Sequence, residues 1–363
     1  MNKKVAVIGA GNGGMAISAY LSLSGVSVNL CDLFPEYTND IIKEGGIKLE
    51  GVDMTGFAKM NLITNNIKDA IKGVTLIMIV TPAFAHQMIA RECSKYLEDG
   101  QIVVLNPGRT AGALCFSNEI RKNKCTNNII VAETQTLIYS CRKRNGSTVE
   151  IKGVKNKVDI ASIPSSKVNE VVNVLKPYYP QFEPRQSVIY TSLLNIGSMF
   201  HPAPMLMNIG RIESDINGFE HYKDGMSKSV VKFIEKLDEE RMNVAKGFSI
   251  EIRSIKDWLK DSYKVSGDSV YELIQSNSAY NGVNAAKTLD IRYVTEDVPT
   301  GLVPISELGK IVGVTTPNID AIITILSTVY ERDFRKEGRN LENLGINNMD
   351  KEELILYFET GER

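Results

Sequence analysis

Val5 to Met15 read VAVIGAGNGGM, a short apolar run that enters Gly9, Gly11, Asn12, Gly13 and Gly14 at once. The run predicts a buried strand, and the glycines predict a tight turn from that strand into a helix. Each glycine has its own steric task. Gly9 lets the strand turn sharply, Gly11 lets backbone approach a pyrophosphate, and Gly14 lets the helix pack against the sheet while its first N–H groups face the anion. A second apolar strand, Val26 to Cys31, ends at Asp32, about 20 residues beyond the glycines, where a carboxylate accepts hydrogen bonds from an adenosine ribose. A 2′-phosphate there would meet like charge, so the pattern favours NAD, with NADP the less favoured cofactor.

Composition narrows the class. The chain has 363 residues, 43% of them hydrophobic, enough for two cores. Lys plus Arg number 42 against 43 Asp plus Glu, a formal charge of -1, so no global field exists to hold nucleic acid or an anionic membrane. Five cysteines, Cys31, Cys93, Cys115, Cys125 and Cys141, are scattered without a CxxC pair; reduced thiols in a cytoplasmic compartment are the expectation. The start MNKKVAVIG lacks a signal-peptide layout, and no segment reaches the ~20 apolar residues that span a bilayer.

Further along, Ile47 to Glu50 and Gly56 to Met60 predict a small polar hairpin, and Ile67 to Ile71 a short helix. Three strands follow. Leu76 to Val80 empties into Thr81 and Pro82, Ile102 to Leu105 into NPGR at Asn106 to Arg109, and Ile129 to Val131 runs on to Glu133 and Thr134. In an open α/β sheet the carboxyl ends of the strands face the ligand. These loops are therefore the predicted floor of a cleft for cofactor and substrate, with Pro82 on the cofactor side and Glu133 and Thr134 on the substrate side. Val149 to Ile151 and Val158 to Ile163 predict further sheet, and Lys167 to Leu175 a helix. From about Ser192 the periodicity becomes helical, over Pro204 to Ile212, Ser227 to Lys246, Ser254 to Asp261, Ile319 to Glu331 and Lys351 to Phe358. The expected fold is an α/β Rossmann-type nucleotide-binding domain over residues 1–185, followed by a mainly α-helical domain over 186–363.

Two constellations can carry chemistry. Histidine occurs only as His86, His201 and His221, and no pair has metal-ligand spacing, so no metal site is expected. His201, at the start of the helical half, can exchange a proton near pH 7; a structural histidine near a helix start is the competing reading. His86 sits at a loop-to-helix transition, and His221 in what reads as an exposed turn. The second constellation, RYVTEDVPTGLVP at Arg292 to Pro304, reads as a rigid loop closed by prolines and a glycine. Arg292 can clamp a carboxylate bidentately, and Asp297 can fix the tautomer of a nearby imidazole and favour its protonated form; a salt-bridged structural loop is the alternative.

HPAP at His201 to Pro204, NIGRIE at Asn208 to Glu213 and RYVTEDVPTGLVP at Arg292 to Pro304 resemble, in that order, segments of the opine dehydrogenases, the octopine and nopaline dehydrogenase group. NPGRTAGALCF at Asn106 to Phe116 and AETQTLIYSCR at Ala132 to Arg142 are similar to that family as well. The resemblance implies reductive condensation of a 2-oxo acid with the amino group of an amino acid, using reduced nicotinamide cofactor. It also implies a His–Asp catalytic pair at His201 and Asp297 and a substrate or cofactor-phosphate contact at Arg292. One departure is Ile138, where relatives carry proline after TL, which predicts a reshaped wall of the amino-acid pocket.

The expected reaction joins an amino acid and a 2-oxo acid such as pyruvate, in either direction, on a chain that needs no nucleic acid or membrane and for which a homodimer is one open assembly. Two rival readings remain at this level. A hydroxy-acid or polyol-phosphate dehydrogenase would place a catalytic lysine on the first helix of the helical domain, yet no lysine occurs between Pro184 and Asn217. A non-catalytic NAD-binding regulator would have little use for two polar loops at a cleft mouth.

Overall fold

The first apolar run forms strand β1 (Lys4–Ile8), buried from Val5 onward, in a computed structural model that describes residues 4–215 and 217–362. Beside it run β2 (Ser27–Cys31) and β6 (Leu76–Ile79), both parallel to β1. The other strands are β3 (Ile47–Gly51), β4 (Gly56–Ala58), β5 (Leu62–Thr64), β7 (Ile102–Leu105), β8 (Ile130–Thr134), β9 (Tyr139–Asn145), β10 (Thr148–Val154), β11 (Val158–Ile163) and β12 (Phe182–Pro184). Among the described residues the main sheet has the order β12-β11-β8-β7-β6-β1-β2-β5, parallel throughout except where β11 meets β8. The continuous apolar runs of β1, β6 and β7 suit strands covered on both faces.

The helix Asn12–Leu23 packs its Met15, Ala16, Ile17, Ala19 and Leu21 into the core of this unit. Its start depends on two backbone approaches. Gly9 has φ +111, and a Cβ there would lie 2.4 Å from the Val80 carbonyl oxygen; a Cβ on Gly14 would lie 1.7 Å from the carbonyl oxygen of Gly9. The anticipated hairpin is β3 paired antiparallel with β4, with Ile47 opposite Ala58. It does not stand alone: β3 also pairs with β10, and β10 with β9, giving a second, four-stranded sheet.

The chain divides into two units, one comprising the described residues up to Ser192 with those from Glu353 onward, the other Leu193–Glu352. The boundary expected near 185 thus falls inside the first unit. Thr191 and Ser192 belong there because their hydroxyls each donate to the buried Glu133 carboxylate at 2.7 Å. The chain end also returns: Arg121 donates to the Gly361 carbonyl at 3.0 Å, with its guanidinium 5.1 Å over the Tyr357 ring.

In the second unit the spine is the helix Lys228–Gly247, whose Ser227 hydroxyl caps the Val230 N–H. Its inner face carries Val230, Ile234, Leu237, Arg241 and Val244, a spacing of three and four that keeps one side buried. Arg241 is buried on that face, bonded to Asp238 and to the carbonyls of Leu193 and Arg253. The helix expected over Pro204 to Ile212 is two helices, Pro202–Met207 and Ile209–Ser214. At the break, the Asn208 amide donates to the carbonyls of Pro204 (2.8 Å) and Gly225 (2.9 Å), replacing ladder bonds with side-chain bonds.

Gly14→Ala is expected to cost about 1–3 kcal/mol in urea unfolding, the range for forcing atoms into a filled space. Gly11→Ala is the control, because a Cβ there meets nothing within 4 Å. Equal unfolding midpoints for the two variants would remove the packing role assigned to Gly14.

Candidate active site

His201 stands at the junction of two short helices, Gly197–Phe200 and Pro202–Met207, with Pro202 in the first turn of the second. Proline is tolerated there because a first-turn N–H has no intrahelical partner to lose. The His201 Nδ1 lies 2.6 Å from Asp297 Oδ2, with the two side chains 16% and 2% exposed. The segment carrying Asp297 is not the rigid loop anticipated from its prolines. Arg292–Thr295 is helical, Val298–Leu302 is a π turn, and the chain continues as the helix Val303–Ile311. Pro299 and Pro304 occupy first-turn positions, which is why they permit helix. The wide turn is seen in the bond from Leu302 N–H to the Asp297 carbonyl at 3.0 Å. Gly301 brings it against the helix before His201, since a Cβ there would lie 2.6 Å from the Ser198 Cβ.

The imidazole is enclosed by aromatic side chains. Tyr293 stacks on it at 4.0 Å and 9°, His221 approaches edge-on at 6.2 Å, and the Tyr222 hydroxyl lies 3.3 Å from Nε2. Tyr222 in turn stacks on Tyr280 at 4.0 Å and 13°. Sequence reasoning missed Tyr222, Tyr280 and Tyr293; the available signal was the pairing of a tyrosine with His221 and with Arg292 in adjacent positions. His221 is not in an exposed turn. It is 2% exposed, its Nε2 3.3 Å from the Phe200 carbonyl, and burial, aided by the nearby His201, pushes it down to about 4. His86 is wholly buried at a helix start and presents nothing to a ligand.

Three other candidates are engaged elsewhere. Arg292 is 56% exposed and pairs with the buried Glu296 four residues on, through Nε at 2.6 Å and Nη2 at 2.5 Å. Glu133, expected to contact substrate, is 0% exposed. Its carboxylate accepts from Ala113 N–H, Thr191 and Ser192, all at 2.7 Å, so it ties the helix Gly112–Lys122 to the chain near residue 190. Thr134, likewise expected at the substrate, is buried and donates to the Leu105 carbonyl at 3.2 Å. Both side chains are thus buried and bonded to neighbouring segments. Ile138 is also buried in the first unit's core.

The glycine turn keeps the geometry a dinucleotide needs. Open space lies before Gly11, which offers no side chain to the first turn of Asn12–Leu23, leaving that turn's N–H groups for an anion. Asp32 follows β2, and its carboxylate is fixed by Ala10 N–H at 2.7 Å and Phe34 N–H at 3.0 Å. Two of roughly four acceptor positions are thereby used, and the half-buried group can accept more. The Thr81 hydroxyl beside Gly9 has no hydrogen-bond partner among the described residues, and Pro82 begins the turn that follows. Asn12 accepts from Lys143 N–H at 2.8 Å, which joins the helix start to β9 and leaves its amide N–H groups to other partners. These features fit a nicotinamide dinucleotide. No helix of the described residues is long and apolar enough to cross a membrane.

Residues 184–330 match the family described as NAD/NADP octopine/nopaline dehydrogenase, alpha-helical domain, and residues 4–135 match the NAD-dependent glycerol-3-phosphate dehydrogenase N-terminus. The chain is similar to an opine dehydrogenase of Arthrobacter sp. (strain 1C), 39% identical over 348 residues and covering 96% of each protein. It is 26% identical over 349 residues to the protein ocs of Agrobacterium vitis, covering 94% of this chain and 95% of that one. A solved octopine dehydrogenase with NADH and L-arginine shares the fold, with a TM-score of 0.82 at 20% identity, covering 99% of this chain and 98% of that chain.

The buried His221 generates a pH prediction. Its folded-state value, about 4, lies below the unfolded value of about 6.5, so the stability linked to its neutral form is complete above pH 6.5 and is lost as pH falls through 4. Urea unfolding at pH 7 and pH 4.5 should show wild type losing about 1–3 kcal/mol more than His221→Gln over that interval. The same loss in both proteins would rule out a buried neutral histidine.

Proposed function

The chain belongs to the opine dehydrogenase family, and on that premise we propose that it condenses the amino group of an amino acid with a 2-oxo acid such as pyruvate and reduces the adduct to an N-(carboxyalkyl) amino acid, and catalyses the reverse. The observation that carries this reading is the buried His201–Asp297 contact at 2.6 Å. A carboxylate at Nδ1 holds the tautomer with its proton there and leaves Nε2 as the atom that exchanges protons with substrate.

In the reductive direction the amine nitrogen bonds to the carbonyl carbon of the oxo acid, and the carbinolamine formed must lose water. His201, protonated, donates its Nε2 proton to the departing oxygen, and Asp297 stabilises the imidazolium beforehand. Bound reduced nicotinamide supplies the hydride that reduces the iminium carbon. In the oxidative direction the neutral Nε2 removes the proton from the secondary amine. Arg292 meets a substrate carboxylate with the N–H groups not taken by Glu296, a weaker attraction than a free guanidinium gives, because the pair is already neutral overall. The dinucleotide is held by Gly9, Gly11, Gly13 and Gly14, with Asn12 and Pro82 at the same turn and Asp32 accepting from the ribose hydroxyls. The cytoplasm is the compartment proposed, and a homodimer the assembly to be checked by light scattering.

NADH consumption with pyruvate plus single amino acids tests the reading directly. Wild type should oxidise NADH with at least one amino acid, and His201→Ala, folded by circular dichroism, should turn over roughly 10²–10⁴-fold more slowly. Near-wild-type turnover in the variant would end the His201 assignment.

Cofactor choice is tested separately. Wild type should bind NADH more tightly than NADPH in fluorescence titrations. Asp32→Ala should narrow that preference, because it loses the ribose bonds and removes the charge that repels the extra phosphate. NADPH binding to wild type at least as tightly as NADH would reject the role of Asp32 and leave the chemistry at His201 untouched.

A further inference from the structure

The Tyr222 hydroxyl faces the exchangeable nitrogen of His201 at 3.3 Å. Tyr293 is the ring stacked on the same imidazole. We propose that Tyr222 is a positioning residue for His201, its hydroxyl bonding Nε2 in both protonation states and favouring the protonated one. The proposal rests on the reading of His201 as the acid and base of the reaction.

The argument follows from what a hydroxyl can do. It carries one donor and two acceptor positions, and its hydrogen rotates to suit its neighbours. With the proton of neutral His201 on Nδ1, toward Asp297, the Tyr222 O–H donates to the Nε2 lone pair. With His201 protonated, Nε2–H donates to the Tyr222 oxygen and the Tyr222 O–H rotates away from the ring. Neither state leaves a donor pointing at a donor. The second arrangement includes a hydrogen bond from a cation, the stronger kind, so the hydroxyl stabilises imidazolium more than imidazole. Burial holds the Tyr222 phenol far above its ordinary range, so it does not take part as a phenolate, and the mobile proton stays on His201.

The geometry is rigid where it needs to be. Stacking on Tyr280 fixes the Tyr222 ring, His221 packs edge-on against it at 4.8 Å, and the Tyr263 ring meets Tyr280 edge-on at 5.6 Å. At 3.3 Å the bond to Nε2 is long for its type, so a substrate oxygen can displace it. The ionisable groups facing the His201 ring are Asp297, Tyr222, Tyr293 and His221. Beyond them on the elements packed around it are the Arg292–Glu296 pair, the Asp238–Arg241 pair, Glu240 bonded to Asn318 and Ile319, and Asp320 paired with Arg335. Each of these outer charges has its own partner, which leaves Tyr222 as the polar contact at Nε2.

Only three histidines exist in the chain, so proton NMR of Cε1-labelled histidine follows each one without any substrate, with His201 assigned by its absence in His201→Asn. Tyr222→Phe keeps the ring and its stacking and removes only the hydroxyl. The His201 titration midpoint should fall by about half to one pH unit in Tyr222→Phe. Tyr293→Phe, which keeps the ring stacked on the imidazole and removes a different hydroxyl, should lower it by less. An unchanged midpoint in Tyr222→Phe, or a larger shift in Tyr293→Phe, would overturn the proposal. If Tyr222→Phe does not fold, Tyr222→Met takes its place, and an unchanged His201 midpoint there overturns the proposal. Failure of the underlying reading has a different signature, namely turnover that survives His201→Ala.

Discussion

A carboxylate withdrawn from water must be met by hydrogen bonds or an opposite charge, and Asp297, 2% exposed, is the group around which the second unit is arranged. Among its contacts is an imidazole at 2.6 Å, a ring that can pass between neutral and charged states while keeping its hydrogen bond to the carboxylate. The π turn that carries Asp297, the close approach of Gly301 to Ser198 and the break at His201 all serve to hold these two side chains 2.6 Å apart.

The first unit contains a second buried carboxylate put to the opposite use. Glu133 is met by a backbone N–H and two hydroxyls, neutral donors whose positions are set by the helix Gly112–Lys122 and the chain at Thr191 and Ser192. The effect of such an arrangement is to fasten elements far apart in sequence. Two acids of equal burial thus differ in role because of the chemistry of what faces them. One faces a titratable ring that retains some access to solvent, the other a backbone N–H and two hydroxyls.

The aromatic surround of His201 links these ideas to dynamics. Tyr293 and Tyr222 restrict the ring on its face and at Nε2, and Asp297 restricts it at Nδ1. In the role proposed for His201, a ring held on three sides loses little orientational entropy on meeting a substrate, which is the physical content of preorganisation. His221, kept neutral by burial in the same cluster, adds no repelling charge beside the imidazolium.

Much of this was legible in the chain. The glycine spacing determined the turn because only residues without Cβ fit where Gly9 and Gly14 meet backbone oxygens, and the apolar runs determined the parallel strands because both of their faces are covered. Asp32 was placed by its offset from that turn, and His201 and Asp297 by the motifs they stand in. What the sequence could not supply was burial and partnership. Glu133 and Thr134 read as cleft residues because they end a strand, yet neighbours from distant segments cover them. His221 read as exposed because its sequence neighbours are charged, and the prolines near Asp297 read as loop although they start helices. Local pattern is written in spacing along the chain, so the sequence carries it. Whether a polar side chain meets solvent, a fixed dipole or a titratable ring depends on residues tens of positions away, and only the tertiary structure decides that.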